Sequence, residues 1–158
     1  MGKEITILGL ISDTHGLLRP EALLALGGVD LILHAGDVGG PKILEALREV
    51  APVVAVRGNV DTDSWGQTLP LTEVVHACAS TVYMLHILQG LDLSPAAAGF
   101  HIVVSGHTHK AVQSERDGVI YINPGSAGPR RFQLPVTVAR LDLGKKPWKA
   151  EFIDLGGK

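Results

Sequence analysis

Glu4-Ile5-Thr6-Ile7-Leu8-Gly9-Leu10-Ile11, followed by Ser12-Asp13-Thr14-His15, carries the plan of the chain in one stretch. Its apolar run lacks the polar alternation of a half-exposed strand. It reads instead as a strand covered on both faces, ending in a polar loop. Pro20 then opens a helix whose apolar face is Leu23, Leu24 and Leu26, and Gly27-Gly28 stops it. The plan repeats at once, with Asp30 to Leu33 as strand and His34-Ala35-Gly36-Asp37 as loop. Pro41 opens the second helix, with Ile43, Leu44, Leu47 and Val50 inward. A third strand, Pro52 to Val56, runs into Arg57-Gly58-Asn59-Val60-Asp61. Alternation of this kind builds a parallel sheet, and ligands of such sheets sit beyond the carboxyl ends of the strands. Three successive loops bearing Asp, His and Asn therefore converge on one edge.

The second half turns from helices to strands. Leu71 to Cys78 and Thr81 to Ile87 form a pair joined at Ala79-Ser80, with His86 closing the second. Gln89 to Gly99 has room only for a short helix around Pro95 to Ala98. His101 to Val104 then leads into Ser105-Gly106-His107-Thr108-His109. In extended backbone, residues i and i+2 share a face, so His107 and His109 are expected to act as a clamp on one side. Ala111 to Glu115, Val119 to Asn123, Val136 to Leu143 and Trp148 to Ile153 are short strands separated by turn chemistry. The expected architecture is two sheets packed face to face, helices outside the first, with the C-terminal strands completing the second.

The 158 residues suit a single domain spanning 1–158. A net charge of −2 without any block of like charges argues against a long nucleic acid or a membrane as partner, so an anionic ligand has to be held locally. Cys78, the lone cysteine, lies among Val75, Ala77 and Val82 and is expected to be small, buried and unpaired. The first apolar stretch is too short and too polar downstream for a signal peptide or a membrane span, and a cytoplasmic setting is expected. A homo-oligomer is the expected assembly for a chain of this size.

Asp13, His15, Asp37, Asn59, His86, His107 and His109 all fall at strand ends. Carboxylate, amide and imidazole together suit manganese, iron or zinc, and the absence of thiolates argues against a structural zinc. Seven donors are too many for one ion, whereas two ions sharing a carboxylate use them all, the arrangement of phosphatases and nucleases. Two dications about 3.5 Å apart repel by roughly 19 kcal/mol at an effective dielectric of about 20. Anions between them must offset this, and the site stays cationic enough to attract a phosphate ester without a basic surface.

In the order Asp13-Thr14-His15-Gly16, Gly36-Asp37, Gly58-Asn59-Val60-Asp61, His86, Gly106-His107-Thr108-His109 and Asn123-Pro124-Gly125-Ser126, these motifs resemble the calcineurin-like metallophosphoesterase superfamily. The resemblance is to its small YfcE-type phosphodiesterases and runs from residue 5 to about residue 128. It implies a four-layer αββα sandwich of two mixed sheets flanked by helices. By the same resemblance, Asp13, His15 and His109 hold one divalent metal, Asn59, His86 and His107 hold a second, and Asp37 bridges them. Manganese is the first choice of ion, with iron, zinc and nickel as alternatives. The implied activity is hydrolysis of small phosphodiesters by hydroxide held at the two metals, with Asp37, Asn59 and His15 closest to the chemistry. The alternatives are a phosphomonoesterase or nucleotidase of the same family, or a non-enzymatic interaction scaffold resembling the retromer subunit.

Two positions depart from that family pattern. Val60 stands where many relatives have a histidine that assists the leaving group; valine carries no transferable proton, which suits diesters or good leaving groups and leaves Asp61 as an orienting residue. Leu88 stands where YfcE-type members usually have a second histidine after His86. Among the remaining residues, His34 is either an orienting partner of Asp37 or a buried histidine bonded to backbone. Arg57, Arg130 and Arg131 are each read as either phosphate contacts or solvated arginines. Trp65 either stacks on a substrate or packs under its own loop.

Overall fold

Strand β1, Ile7–Ile11, is buried from Leu8 onward, and its alternate residues face two different cores. Leu8 and Leu10 point into a core between two sheets, while Ile11 points to a layer of helices. The computed structural model describes residues 4–156. Helix α1, Pro20–Ala25, leads to β2, Leu31–His34, and α2, Pro41–Arg48, leads to β3, Val53–Ala55. Both helices start at a proline, whose missing N–H and fixed φ suit the first helical position. Ile43, Leu44 and Leu47 of α2 are buried as expected, but in α1 Ala22 and Leu26 face the core while Leu24 is 81% exposed. Leu24 therefore lies outside the apolar stripe, which in this short helix follows the i, i+4 pair.

The chain continues through β4, Thr72–Ala77, β5, Ser80–Leu85, α3, Pro95–Ala98, and β6, Ile102–Val104. It ends with β7, Ala111–Arg116, β8, Val119–Pro124, β9, Thr137–Asp142, and β10, Glu151–Asp154. One sheet has the order β10-β9-β1-β2-β3 and the other β4-β5-β6-β8-β7. Both are mixed: β1-β2-β3 and β5-β6-β8 run parallel, with antiparallel strands beyond them. Val82 and Met84 of β5, Ile102 and Val104 of β6 and Ile122 of β8 meet Leu8, Leu10, Leu31 and Leu33 in the inter-sheet core.

This is the expected αββα sandwich, with a thin fourth layer. Tyr83, Leu85, Val103 and Val119, on the outer face of the second sheet, are covered by Leu88, Leu91 and Phe100 from the segment that carries α3. Ser94 caps that four-residue helix by accepting from the Ala97 N–H at 3.3 Å. The expectation that the C-terminal strands complete the second sheet holds for β7 and β8 only. β9 and β10 return to the first sheet, β9 antiparallel to β1 and β10 antiparallel to β9. The physical reason is that β1 is covered on both faces and cannot be an edge. β9, with Val138 on the helix side and Ala139 and Leu141 on the inter-sheet side, has the apolar surface to flank it.

The hairpin between β4 and β5 also differs by one residue. Ala77 pairs with Ser80, so the turn is Cys78-Ala79, with Cys78 at φ 54°. Cys78 is exposed rather than buried, because a residue at the tip of a two-residue turn points away from both sheets.

Candidate metal centre

β1, β2 and β3 of one sheet and β5 and β6 of the other all end toward the same place. Their C-terminal loops bring together the seven residues expected from the sequence. Asp13 and His15 follow β1, Asp37 follows β2, Asn59 follows β3, His86 follows β5, and His107 and His109 follow β6. Ligand atoms of Asp13, His15 and His109 lie within 4.8 Å of one another, as do those of Asp37, His86 and His107. Asn59 joins the second group, its Oδ1 3.1 Å from His107 Nδ1. Asp37 Oδ2 lies 3.2 Å from His86 Nε2 and 3.6 Å from His15 Nε2, between the two groups. The first group is largely buried, whereas Asn59 and His107 are exposed and form the open side.

The two histidines of the β6 loop do not form an extended clamp. His107 has φ 74° and His109 φ 64°, and each belongs to a different group. Asp13, His15 and Asp37 also have positive φ, at 56°, 48° and 55°. Such values are uncommon outside glycine and carry a cost of about 1 kcal/mol each that the surroundings must offset. Here the loops brace one another. The amides of Asp13 and His15 donate to the carbonyls of Gly36 (3.0 Å) and Asp37 (2.9 Å), and the Gly106 amide donates to the His86 carbonyl (3.0 Å).

Each carboxylate uses one oxygen for support and turns the other toward the imidazoles. Asp13 Oδ2 accepts from the Ser12 hydroxyl at 2.7 Å and the His107 amide at 3.1 Å. That leaves Oδ1 facing His109 (3.3 Å), His15 (3.6 Å) and His86 (3.8 Å). Asp37 Oδ1 accepts from the Val60 amide at 3.0 Å, and Oδ2 faces the imidazoles. His86 donates from Nδ1 to the Ala35 carbonyl at 2.7 Å, which presents the Nε2 lone pair to the centre. These approaches need glycine: a Cβ on Gly106 would overlap Ser12 Oγ and Asp13 Oδ2, and one on Gly58 would overlap the Asp37 backbone and Oδ1.

The electrostatics follow from this crowding. Burial raises the Asp37 pKa, but His86 and the Val60 amide outweigh it and the carboxyl stays below its ordinary value. Burial lowers the His86 pKa, but Asp37 and Asp13 outweigh it and the net direction is upward. His109 goes down: burial is the main cause, and the charges of Arg131 and His15 add to it against the pull of Asp13. A proton on His86 Nε2 and a cation at the same lone pair compete for one position.

Several supporting residues have no chemical signature of their own. Asp61, expected to orient rather than ligate, accepts from the amides of Gly58 (2.9 Å), Val38 and Gly39 (3.1 Å each), tying the β2 and β3 loops together. Ser12 is not singled out in the sequence, whereas Asn123 and Ser126 belong to the Asn123-Pro124-Gly125-Ser126 motif, and they support the donor loops. Asn123 Nδ2 donates to the Gly106 carbonyl at 2.9 Å, and the Ser126 hydroxyl donates to the Asp13 carbonyl at 3.1 Å. All three side chains are buried, and for Ser12 the sequence carries no signal beyond a polar residue at a strand end.

The other candidates separate cleanly. His34 is bonded to backbone and to Thr14 and does not touch Asp37 Oδ2. Arg57 donates to the Leu69 carbonyl and to Gln67, holding its own loop. Trp65 packs against the helix-side core. Arg131 is exposed but near enough to His109 to influence its charge. Leu88 lies in the 3₁₀ turn Leu88–Gly90 and packs on the outer face of the second sheet, where it lines a small cavity with Gly106 and Thr108.

The donor atoms fit divalent cations. Asp13 Oδ1, His15 Nε2, His86 Nε2 and His109 Nδ1 are buried and make no hydrogen bond. Buried polar atoms are normally satisfied, and the orphans on Asp13, His15 and His86, with His109 Nε2 3.3 Å from Asp13 Oδ1, are what cations would satisfy.

Comparison with known proteins gives a consistent result. Residues 7–146 match the calcineurin-like phosphoesterase superfamily domain. The chain is 36% identical over 163 residues to a probable metallophosphoesterase of Methanothermobacter thermautotrophicus, covering 95% of this chain and 93% of that protein. It is 32% identical over 155 residues to the phosphodiesterase YfcE of Escherichia coli K12, covering 83% of this chain and 84% of YfcE. The solved structure of YfcE, described as a phosphoesterase, has a TM-score of 0.66 at 26% identity over 95% of this chain and 100% of that one. Among the described residues, no helix is long and apolar enough to cross a membrane.

Proposed function

Because the chain belongs to the calcineurin-like phosphoesterase superfamily, we propose that it is a phosphodiesterase for small substrates, working with two divalent ions in a cytoplasmic setting. The observation that carries this reading is the set of buried, hydrogen-bond-free donor atoms on Asp13, His15 and His86, with His109 Nε2 beside Asp13 Oδ1. Asp13, His15 and His109 would hold one ion, His86, His107 and Asn59 the other, and Asp37 would serve both. Such ions, manganese first among them, supply Lewis acidity toward the phosphoryl oxygens and lower the pKa of water toward neutrality.

The protein's own part is to hold this array rigid and to choose the substrate. Asp37, kept ionised by His86 and the Val60 amide, offers Oδ2 between the groups. Asn59, exposed beside His107, faces incoming substrate with its amide. Val60 is 46% exposed at the same rim and has no proton to give, so the departing alkoxide leaves unassisted from that side. This favours diesters with good leaving groups over monoesters of ordinary alcohols.

The test is hydrolysis of bis(p-nitrophenyl) phosphate and p-nitrophenyl phosphate by metal-stripped protein titrated with manganese, beside an Asp37→Asn variant. Turnover that requires the metal, is lost in the variant and prefers the diester is the expected result. Two bound equivalents of manganese with no cleavage of either ester would refute the enzyme and favour the interaction scaffold.

A further inference from the structure

Beside Asn59 and His86, on the open side of the centre, lies a cleft of about 420 Å³. It shares Asn59 and His86 with the donor array and is also lined by Gly58, which abuts Asp37, so a group bound in it is next to anything held there. Its walls are apolar: Leu71, Tyr83, Leu85 and Ile87 face it. Tyr83 is itself held by stacking on Phe100, with ring centroids 5.0 Å apart and planes inclined by 10°. Leu71, at the mouth, is 62% exposed, an apolar side chain with no partner on its outer side.

The charges in the cleft narrow its occupant further. Arg57 is the cation at its wall, and its Nε and Nη1 are engaged by the Leu69 carbonyl (3.0 Å) and Gln67 Oε1 (3.2 Å). Asp92 adds a carboxylate. A second phosphate or a polynucleotide extension would meet apolar walls, and Arg57 and Asp92 together bring no net positive charge to hold it. The volume falls within the range of small-molecule pockets, and apolar walls with a few polar groups are their usual lining.

We infer that this cleft is the subsite for one ester arm of the substrate, and that the arm is uncharged and apolar, an aryl or branched alkyl alcohol. This rests on the phosphodiesterase reading of the centre. The subsite selects by burial of the arm against Leu71, Ile87 and Tyr83, while the phosphoryl group is held by the donor array.

Two non-hydrolysed monoanions that differ only in the arm, methyl phenylphosphonate and methyl methylphosphonate, test it by calorimetric titration of the manganese-loaded protein. The phenyl compound is expected to bind about tenfold more tightly, the ratio for burying one ring edge and face against apolar walls. In Leu71→Ser, which removes apolar surface without adding a charge, that ratio falls below about threefold because the phenyl compound loses affinity. Leu71 is largely exposed, so the variant retains the fold, and an unchanged melting temperature checks this. Equal affinity for both compounds in a protein that cleaves diesters overturns the subsite. A tenfold preference in a protein that cleaves no ester supports the subsite and overturns the enzymatic reading instead.

Discussion

His34→Gln, studied between pH 7.5 and 5.0, isolates one buried imidazole that supports the site without belonging to it. His34 is 0% exposed. Its Nδ1 accepts from the Gly36 amide at 3.1 Å, and its Nε2 meets Thr14 Oγ1 at 3.0 Å. Thr14 gives its own proton to the Val38 carbonyl at 2.7 Å, so the ring donates from Nε2 and is neutral. A second proton on Nδ1 would face the Gly36 N–H, donor against donor. Burial, and then the charge of His86, push the His34 pKa from 6.5 down to about 3. The folded value lies below the unfolded one, so the unfolded chain takes up a proton that the fold refuses. The stability contributed by the neutral ring is therefore complete above about pH 6.5 and is lost as pH falls toward 3. The slope is about 1.4 kcal/mol per pH unit, so the loss by pH 5 is about 2 kcal/mol. Glutamine does not titrate, and subtracting its pH dependence removes the contributions of His86 and His109, which move in opposite directions. Urea unfolding of chelator-treated wild type and variant is expected to show the stability gap between them narrowing by about 2 kcal/mol from pH 7.5 to 5.0. An equal gap at both pH values would refute the neutral, partner-locked ring.

Three further outcomes are expected. Asp61→Asn keeps the side-chain shape but removes the charge that accepts three amides; it is expected to cost about 2 kcal/mol in urea unfolding and to weaken manganese binding by roughly ten- to a hundredfold in calorimetry. Gly106→Ala places a methyl against Ser12 Oγ and Asp13 Oδ2 and is expected to lower the number of manganese ions retained after gel filtration, since Asp13 can no longer hold its position. Manganese at a hundred times its dissociation constant is expected to stabilise the protein by about 2.7 kcal/mol per site against urea, and the share of one site should vanish in Asp13→Asn while both shares remain in Leu71→Ser.

The parts of this molecule that could be read from the sequence are those in which residue type and local spacing carry the information. The apolar run Ile7–Ile11 and its polar end announce a covered strand with a functional loop, and the repeat at Leu31–His34 announces the parallel sheet. Asp, His and Asn at strand ends announce donors because those side chains bind cations wherever they are placed together. The sheet joined by β9 was not legible, because apolar residues on both faces say that a strand is covered but not which edge it flanks. Nor were the left-handed dihedrals of His107 and His109, since they depend on partners far away in the chain. The His107 amide is held by a carboxylate 94 residues earlier, and Asp13 in turn by the Ser126 hydroxyl 113 residues later. Asn123 is near the end of β8 and Ser126 lies on the chain between β8 and β9, strands of different sheets, so their side chains reach the donor loops only once β8 lies beside β6 and β9 beside β1. Asp61 shows the same dependence at shorter range: its carboxylate spans Gly58 on its own loop and Val38 and Gly39 on another, and only the parallel pairing of β2 with β3 sets those two loops side by side.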